Sequence, residues 1–208
     1  MTIMGRLFTI GYSGHSAESF INLVTQNKID VVCDVRSTPF SAYKPDFSRA
    51  LFKAHLNRSG VKYKFLGDLL GARPTDRTCY VAGQATYERI SNSSFFQEGL
   101  SRIKIGTRSL NLALVCSERD PIECHRAILV CRNLPDMQDH ITHIHTDGRS
   151  ESQPDLDARL VDMFGLTPPP LLQEEGDWSK AVSNAYKKQG EAIAYREKYP
   201  RDNKDEQS

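Results

Sequence analysis

The sequence predicts a three-layer α/β domain: a mainly parallel sheet with helices on both faces. Three observations carry that expectation. Short, β-branched apolar runs alternate with segments of helical period, the order that βαβ crossovers produce. Two of those runs, at 29–37 and 110–116, are apolar almost throughout, as strands covered on both faces are. The 208 residues are 39% hydrophobic and 25% charged, with a formal net charge of +1 and a mean hydropathy of −0.48. That is enough for one sizeable core but not for two full domains, and it excludes wholesale disorder.

Leu7-Phe8-Thr9-Ile10 reads as a first strand running into the turn Gly11-Tyr12-Ser13-Gly14. Ser16, with Glu18 and the apolar positions Phe20, Ile21, Leu23 and Val24, reads as a capped helix. Ile29 to Ser37 forms the second strand, and the loop behind it holds Pro39 and Pro45. A helix over 48–58 ends at Gly60 as its C-cap, and a third strand over 61–66 alternates Tyr63 and Phe65 with lysines. From Gly67 to Ser94 no period holds, and an irregular stretch of that length is expected to be a functional or mobile loop. Helical period returns over 95–105. A buried strand over 110–116, a helix over 123–133, a short strand over 140–145 and a helix over 156–164 follow, until Pro168-Pro169-Pro170 breaks the pattern. Residues 1–170 are assigned to the α/β domain. Residues 171–208, with 7 basic and 8 acidic side chains, are expected to be a polar, partly helical tail, loosely attached.

No apolar run approaches the roughly 18 to 20 residues that span a bilayer. The start, Met1 to Arg6, lacks the apolar core of a secretory signal, so the cytoplasm is the expected compartment. Five cysteines, an odd number in a chain large enough to fold without staples, are expected to be thiols.

In a parallel α/β sheet, ligands bind outside the carboxyl ends of the strands. The first strand delivers Gly11, Tyr12 and Ser13 there; the second delivers Asp34, Arg36 and Ser37; the fourth delivers Cys116, Ser117 and Glu118. Period two puts Asp34 and Arg36 on one face, a carboxylate beside a guanidinium. The densest segment is Cys116-Ser117-Glu118-Arg119-Asp120-Pro121-Ile122-Glu123-Cys124-His125-Arg126. Three readings of it stand side by side. In the first, Arg36, Arg126 and free N–H groups at a helix start hold an oxyanion or phosphate, Glu118 or His125 moves a proton, and Cys116 or Cys124 is a nucleophile. In the second, Cys116, Cys124 and His125 ligate a metal with Cys33 or Asp34. Side chains of helical neighbours diverge by about 100° and no paired C-x2-C is present, so no residue is assigned to a metal. In the third, the thiols are core residues and Glu118 or His125 caps the turn.

His143 and His145, alternating on a strand, are expected to be exposed at an edge. His15 and His55 are expected at the surface, and Cys79 and Cys131 to be incidental. The Gly11 to Gly14 turn lacks both the dinucleotide fingerprint and the P-loop lysine. Between residues 36 and 77, nine basic side chains face three acidic ones, with Tyr43, Phe47, Tyr63 and Phe65 among them. Basic residues interleaved with aromatics suit a nucleotide or nucleic acid, as they also suit a solvated helix face.

Thr9-Ile10-Gly11-Tyr12-Ser13, Asp34-Val35-Arg36 with Pro39, Gly60 before an aromatic strand, and above all Cys116-x-Glu118 with Cys124-His125-Arg126 resemble the bacterial and archaeal family called domain of unknown function 488. The resemblance spans residues 7 to 165. It implies an α/β domain with polar residues gathered at the strand ends, and no particular reaction. The expected function is an enzyme with a phosphate-bearing ligand, a nucleotide or nucleic acid, at the carboxyl edge of the sheet. Glu118, Asp34, His125 and Cys116 are its candidate catalytic residues; Arg36, Arg126, Gly11, Tyr12, Ser13 and Cys124 are its candidate ligand-binding residues. The alternatives are a non-catalytic nucleic-acid or protein-binding module and a thiol or metal sensor built on Cys116 and Cys124. The motifs specify no cofactor and no oligomeric state.

Overall fold

The computed structural model describes residues 5–168 and 176–198. The first four residues, the last two prolines of the proline break, and residues 171–175 and 199–208 of the expected tail lie outside the described residues. In chain order the strands are β1 (Leu7–Gly11), β2 (Val31–Asp34), β3 (Lys62–Phe65), β4 (Tyr80–Val81), β5 (Gln84–Ala85), β6 (Leu112–Cys116), β7 (Ile141–Ile144) and β8 (Ser150–Ser152). The α-helices are α1 (Ala17–Gln26), α2 (Arg49–Arg58), α3 (Gly67–Leu70), α4 (Tyr87–Ser91), α5 (Ser94–Gly106), α6 (Gln153–Met163) and α7 (Asp177–Ile193).

Six strands form one sheet in the order β3-β2-β6-β1-β7-β8. Only the edge strand β8 runs antiparallel to its neighbour. β4 and β5 pair as a separate small hairpin. Alternation along each strand sorts the core by face. Phe8, Ile10, Val32, Ala113 and Val115 pack with Phe20, Val24, Phe52 and Leu56 of α1 and α2. Leu7, Cys33, Leu112, Leu114 and Cys116 pack on the other side with α3, α5 and the 129–137 segment. The architecture is therefore the mainly parallel, three-layer α/β sandwich that the apolar runs predict.

Three segments depart from the expected pattern. The 67–94 stretch is built, with α3, the β4–β5 hairpin and α4 burying Leu70, Cys79, Ala85 and Ile90. Elements of two to five residues are shorter than the periods that would reveal them. The helix expected over 123–133 is instead a 3-10 turn (Pro121–Glu123), a π-helical turn (Arg126–Val130) and a second 3-10 turn (Cys131–Asn133). The described part of the tail, residues 176–198, is not loosely attached. Ala181, Val182, Ala185 and Tyr186 of α7 are buried against Ile122, Ala127, Ile128, Leu156 and Leu160, and beyond the helix Arg77 and Glu197 form an ion pair.

His143 and His15 also differ from expectation. β7 lies inside the sheet, because β8 covers its outer edge, and His143 is wholly buried. Its Nδ1 is 2.8 Å from the Thr9 hydroxyl and its Nε2 is 3.1 Å from Gln153 Oε1. Gln153 in turn donates from Nε2 to Asp157 and to Tyr186 of α7. The chain of bonds is satisfied when His143 is neutral, with Thr9 donating to Nδ1 and Nε2–H donating to Gln153. His15 is buried against Phe20, while His55 sits at the surface beside Asp46.

Burial, reinforced by the charge of Arg126, pushes His143 down to about 3. The unfolded chain takes up that proton near pH 6.5, so this contribution to stability is whole above about pH 6.5 and is lost as pH falls towards 3. In urea titrations between about pH 7 and pH 4, the wild-type midpoint is expected to fall more steeply than that of His143→Gln. Equal slopes would assign the acid sensitivity to other groups.

Candidate functional site

The connection leaving β2 leads outward to β3, whereas the one leaving β6 crosses to β7 on the other side of β1. The neighbouring carboxyl ends of β2 and β6 therefore diverge and leave a crevice between them. A cleft of about 410 Å³ lies there, walled among others by Arg36, Phe40, Cys116, Glu118, His125 and Tyr195. A larger opening of about 610 Å³ between Tyr87, Arg132, Tyr186 and Lys187 gathers no such group of reactive side chains.

From β2, Asp34 and Arg36 share a face as their spacing predicts, and both are buried. Arg36 Nε donates to Asp34 Oδ1 at 2.8 Å and Nη2 donates to Oδ2 at 2.6 Å and to the Phe47 carbonyl at 2.8 Å. Tyr63 adds a 2.8 Å bond to Asp34 Oδ2. Burial works against the Arg36 charge, but the Asp34 carboxylate outweighs it and holds the guanidinium protonated. Asp34 is thus not placed to move a substrate proton: each of its oxygens already faces donors and no part of it reaches solvent. Arg36 does line the cleft, and its Nη1 is buried without a partner.

From β6 and the turn behind it come Cys116, Glu118, Cys124 and His125. Asp120 caps that turn by accepting from the Ile122 N–H, and Pro121 at its first position presets φ. Cys124 is extended (φ −132, ψ 138), whereas His125, the N-cap of the π-helical turn, is already helical (φ −58, ψ −23). The two are therefore not successive residues of one helix, and the divergence expected of helical neighbours does not arise. Their ligand atoms and Cys116 Sγ all lie within 4.8 Å of one another. His125 Nε2 is 3.0 Å from the Val35 carbonyl. A carbonyl only accepts, so Nε2 carries a proton, and Nδ1 faces the sulfurs, 3.7 Å from Cys116 Sγ and 3.8 Å from Cys124 Sγ.

Glu118 is exposed at the rim, but its Oε2 accepts from the Cys124 thiol at 3.0 Å. Burial of the carboxyl end and the neighbouring Cys124 push Glu118 up. Burial alone would raise Cys124, yet the Cys116 thiol, the Arg126 charge and His125 bring it down. Cys116 is pushed up in turn, first by its bond to Cys124 and then by burial. Cys124 and Glu118 thus compete for one proton. Cys33 is buried in the core, where burial raises it to about 12, and Asp34 is held by Arg36; neither joins the cluster.

Arg126, expected to bind the ligand, does not line the cleft. It is fully buried, and it spends its donors on the Glu118 carbonyl (2.8 Å), the Arg119 carbonyl (3.1 Å) and Thr9 Oγ1 (3.4 Å). The π-helical turn that it opens is only five residues long, so no long helix aims free N–H groups at the cleft. Gly11, Tyr12 and Ser13 brace the site from behind. A Cβ on Gly11 would sit 1.7 Å from the Glu118 carbonyl oxygen. Tyr12 stacks on Phe47 with ring centroids 4.5 Å apart, and Ser13 bonds the Ser117 carbonyl. Sequence reasoning missed Phe40, Arg73 and Tyr195 in the cleft walls. Arg73 lies over the Tyr195 ring at 4.5 Å, a contact between the irregular stretch and the tail that no local pattern announces.

A model of the family described as Domain of unknown function DUF488 matches residues 16–132, more than half of the chain, and the chain belongs to that family. The match contains Asp34, Arg36 and the Cys116 to Arg126 segment; it starts beyond Gly11-Tyr12-Ser13 and is shorter than the 7–165 span of the motif resemblance. A solved structure of a candidate phosphatase (DUF442) from Shewanella putrefaciens CN-32 aligns over 91% of this chain and 92% of its own, at 12% identity and a TM-score of 0.39. No curated protein matches the sequence. No helix among the described residues is long and apolar enough to cross a membrane.

Arg126→Met strips the Glu118 and Arg119 carbonyls of their donors. It is expected to lower stability by about 3 kcal/mol, as loss of one member of a buried polar network does. Denaturant unfolding at neutral pH measures this, and a loss below about 1 kcal/mol would remove Arg126 from the framework.

Proposed function

We propose that the protein is an enzyme that takes a phosphate-bearing ligand, a nucleotide in the first place, in the cleft between the ends of β2 and β6. The observation that carries this reading is Arg36: a buried cation lining the cleft, fixed by Asp34 and left with Nη1 unpartnered. A buried N–H donor without an acceptor is costly, and an oxyanion entering beside it removes that cost. The phenyl ring of Phe40, 68% exposed, and the ring of Tyr195 supply apolar surfaces in the same walls, which suits a stacked base. Glu118, with its carboxyl pushed up by burial and by Cys124, suits proton transfer. The five free cysteines suit a reducing compartment such as the cytoplasm.

Calorimetric titration with inorganic phosphate and with nucleoside mono-, di- and triphosphates tests the reading. Phe40→Ala is expected to weaken nucleotide binding about tenfold while leaving phosphate unaffected, since one stacking contact is worth about 1 to 3 kcal/mol. Glu118→Gln is expected to keep binding and to lower turnover of a responsive phosphate ester about 100-fold. The proposal fails if no phosphate-bearing compound binds, or if Glu118→Gln turns over like the wild type.

A further inference from the structure

We infer that Cys116, Cys124 and His125 bind one thiophilic divalent metal ion, zinc foremost, at the floor of the cleft. The inference adds to the reading of the cleft as a reactive site, although the geometry behind it involves no substrate. Zinc holds sulfur at about 2.3 Å and imidazole nitrogen at about 2.0 Å, so at the tetrahedral angle a sulfur and a nitrogen ligand stand about 3.5 Å apart. The two sulfur to Nδ1 separations, 3.7 and 3.8 Å, lie within a few tenths of an ångström of that value. The three ligand atoms, all within 4.8 Å of one another, already stand where one ion can bridge them.

The imidazole is also prepared as a ligand. A metal-bound histidine usually donates its other ring N–H to a carbonyl or carboxylate, which fixes the tautomer and the ring. His125 does so to the Val35 carbonyl, and Nδ1 faces the sulfurs. In the metal-free protein the Cys124 proton goes to Glu118 and Cys116 rests against Nδ1. An ion replaces the two thiol protons: two S–H bonds break, two metal–sulfur bonds and one metal–nitrogen bond form, and two protons leave to solvent. The charges then balance, with two thiolates against a divalent cation, which is what burial of all three residues demands.

Three protein ligands leave a fourth position. Glu118 Oε2, 3.0 Å from Cys124 Sγ, is near enough to fill it or to hydrogen-bond a water there, and the cleft gives access. Three protein ligands with one exchangeable position are the arrangement of catalytic zinc sites, while four protein ligands mark structural ones.

Chelator-stripped, reduced full-length protein is titrated with Co2+ and then with Zn2+ while absorbance, bound metal and proton release are followed. The expected result is one ion per chain, a thiolate-to-cobalt absorption band that zinc abolishes, and protons released as the metal binds. Cys116→Ser and Cys124→Ser are each expected to weaken zinc binding at least about 100-fold, while Cys79→Ser leaves it unchanged. Failure of the folded wild type to bind either ion, or retention of the band in the Cys116→Ser/Cys124→Ser double variant, overturns the inference. The wild-type titration decides even where a variant does not fold. Because it uses no phosphate ligand, its failure stands apart from that of the proposed function: a site that binds zinc in a cleft that takes no phosphate compound refutes only the latter.

Discussion

The cleft depends on a guanidinium that never reaches it. Arg126 is wholly buried between β1 and the turn that follows β6, and its three nitrogens hold the Glu118 and Arg119 carbonyls and the Thr9 hydroxyl. Without those bonds the part-buried Glu118 and Arg119 carbonyls would lose their donors, at a cost of about 1 kcal/mol each. With them, the Glu118 side chain leaves the backbone at a fixed point at the rim. The close seat of Gly11 against the same carbonyl shows how little room the turn has. The charge of Arg126 also acts through space, helping to hold Cys124 down and His143 neutral. One buried cation therefore links the order of the cluster to the order of the β1–β7 core.

Two buried arginines divide the work. Arg36 meets a carboxylate in a bidentate pair that cancels its charge, lines the cleft, and leaves its buried Nη1 without a partner. Arg126 meets only neutral acceptors and keeps its charge, within reach of the thiols. Strand alternation separates them: Asp34 and Arg36 point to the side of α1 and α2, and Cys116 points to the other side of the sheet. Only at the diverging ends of β2 and β6 do the two sides meet, which is why the chemistry gathers there.

The sheet was legible in the sequence because its inner strands are continuous apolar runs, and the Asp34–Arg36 pairing was legible because period two fixes it. The site segment was legible by composition, since Cys116, Glu118, Cys124 and His125 fall within ten residues. What each does was not. Arg126 reads as an anion ligand as long as its turn is taken for a regular helix; the π-helical turn sends it inward. Cys124 and His125 read as divergent for the same reason, and the extended backbone at Cys124 reverses that. His143 reads as an edge residue until β8 is seen to cover β7, and β8 is only three residues long. The 67–94 stretch hides its order in elements shorter than a period. The stripe of Ala181, Val182, Ala185 and Tyr186 was in plain sight, but its alanines bury too little apolar surface to stand out against a charged tail.

The placement of that tail changes how the cleft is understood. α7 packs on the 122–128 segment and α6, and its buried Tyr186 joins the hydrogen bonds that run from Gln153 to His143. Past the helix, the Tyr195 carbonyl accepts from the Ala85 N–H and its ring lies under Arg73 at the cleft wall. Glu197 pairs with Arg77. A segment held at three points by a hairpin and a loop does not drift as a linker does. The cleft is thus a composite: the sheet supplies its reactive floor, and the 67–94 stretch and the residues after α7 supply a wall. The reactive floor lies within the span that the family model matches, while Tyr195 lies outside it. Phe40 and Arg73, which wall the cleft beside Tyr195, lie inside that span, so on the proposed reading only the Tyr195 side of the wall is set by a stretch that the family model does not match.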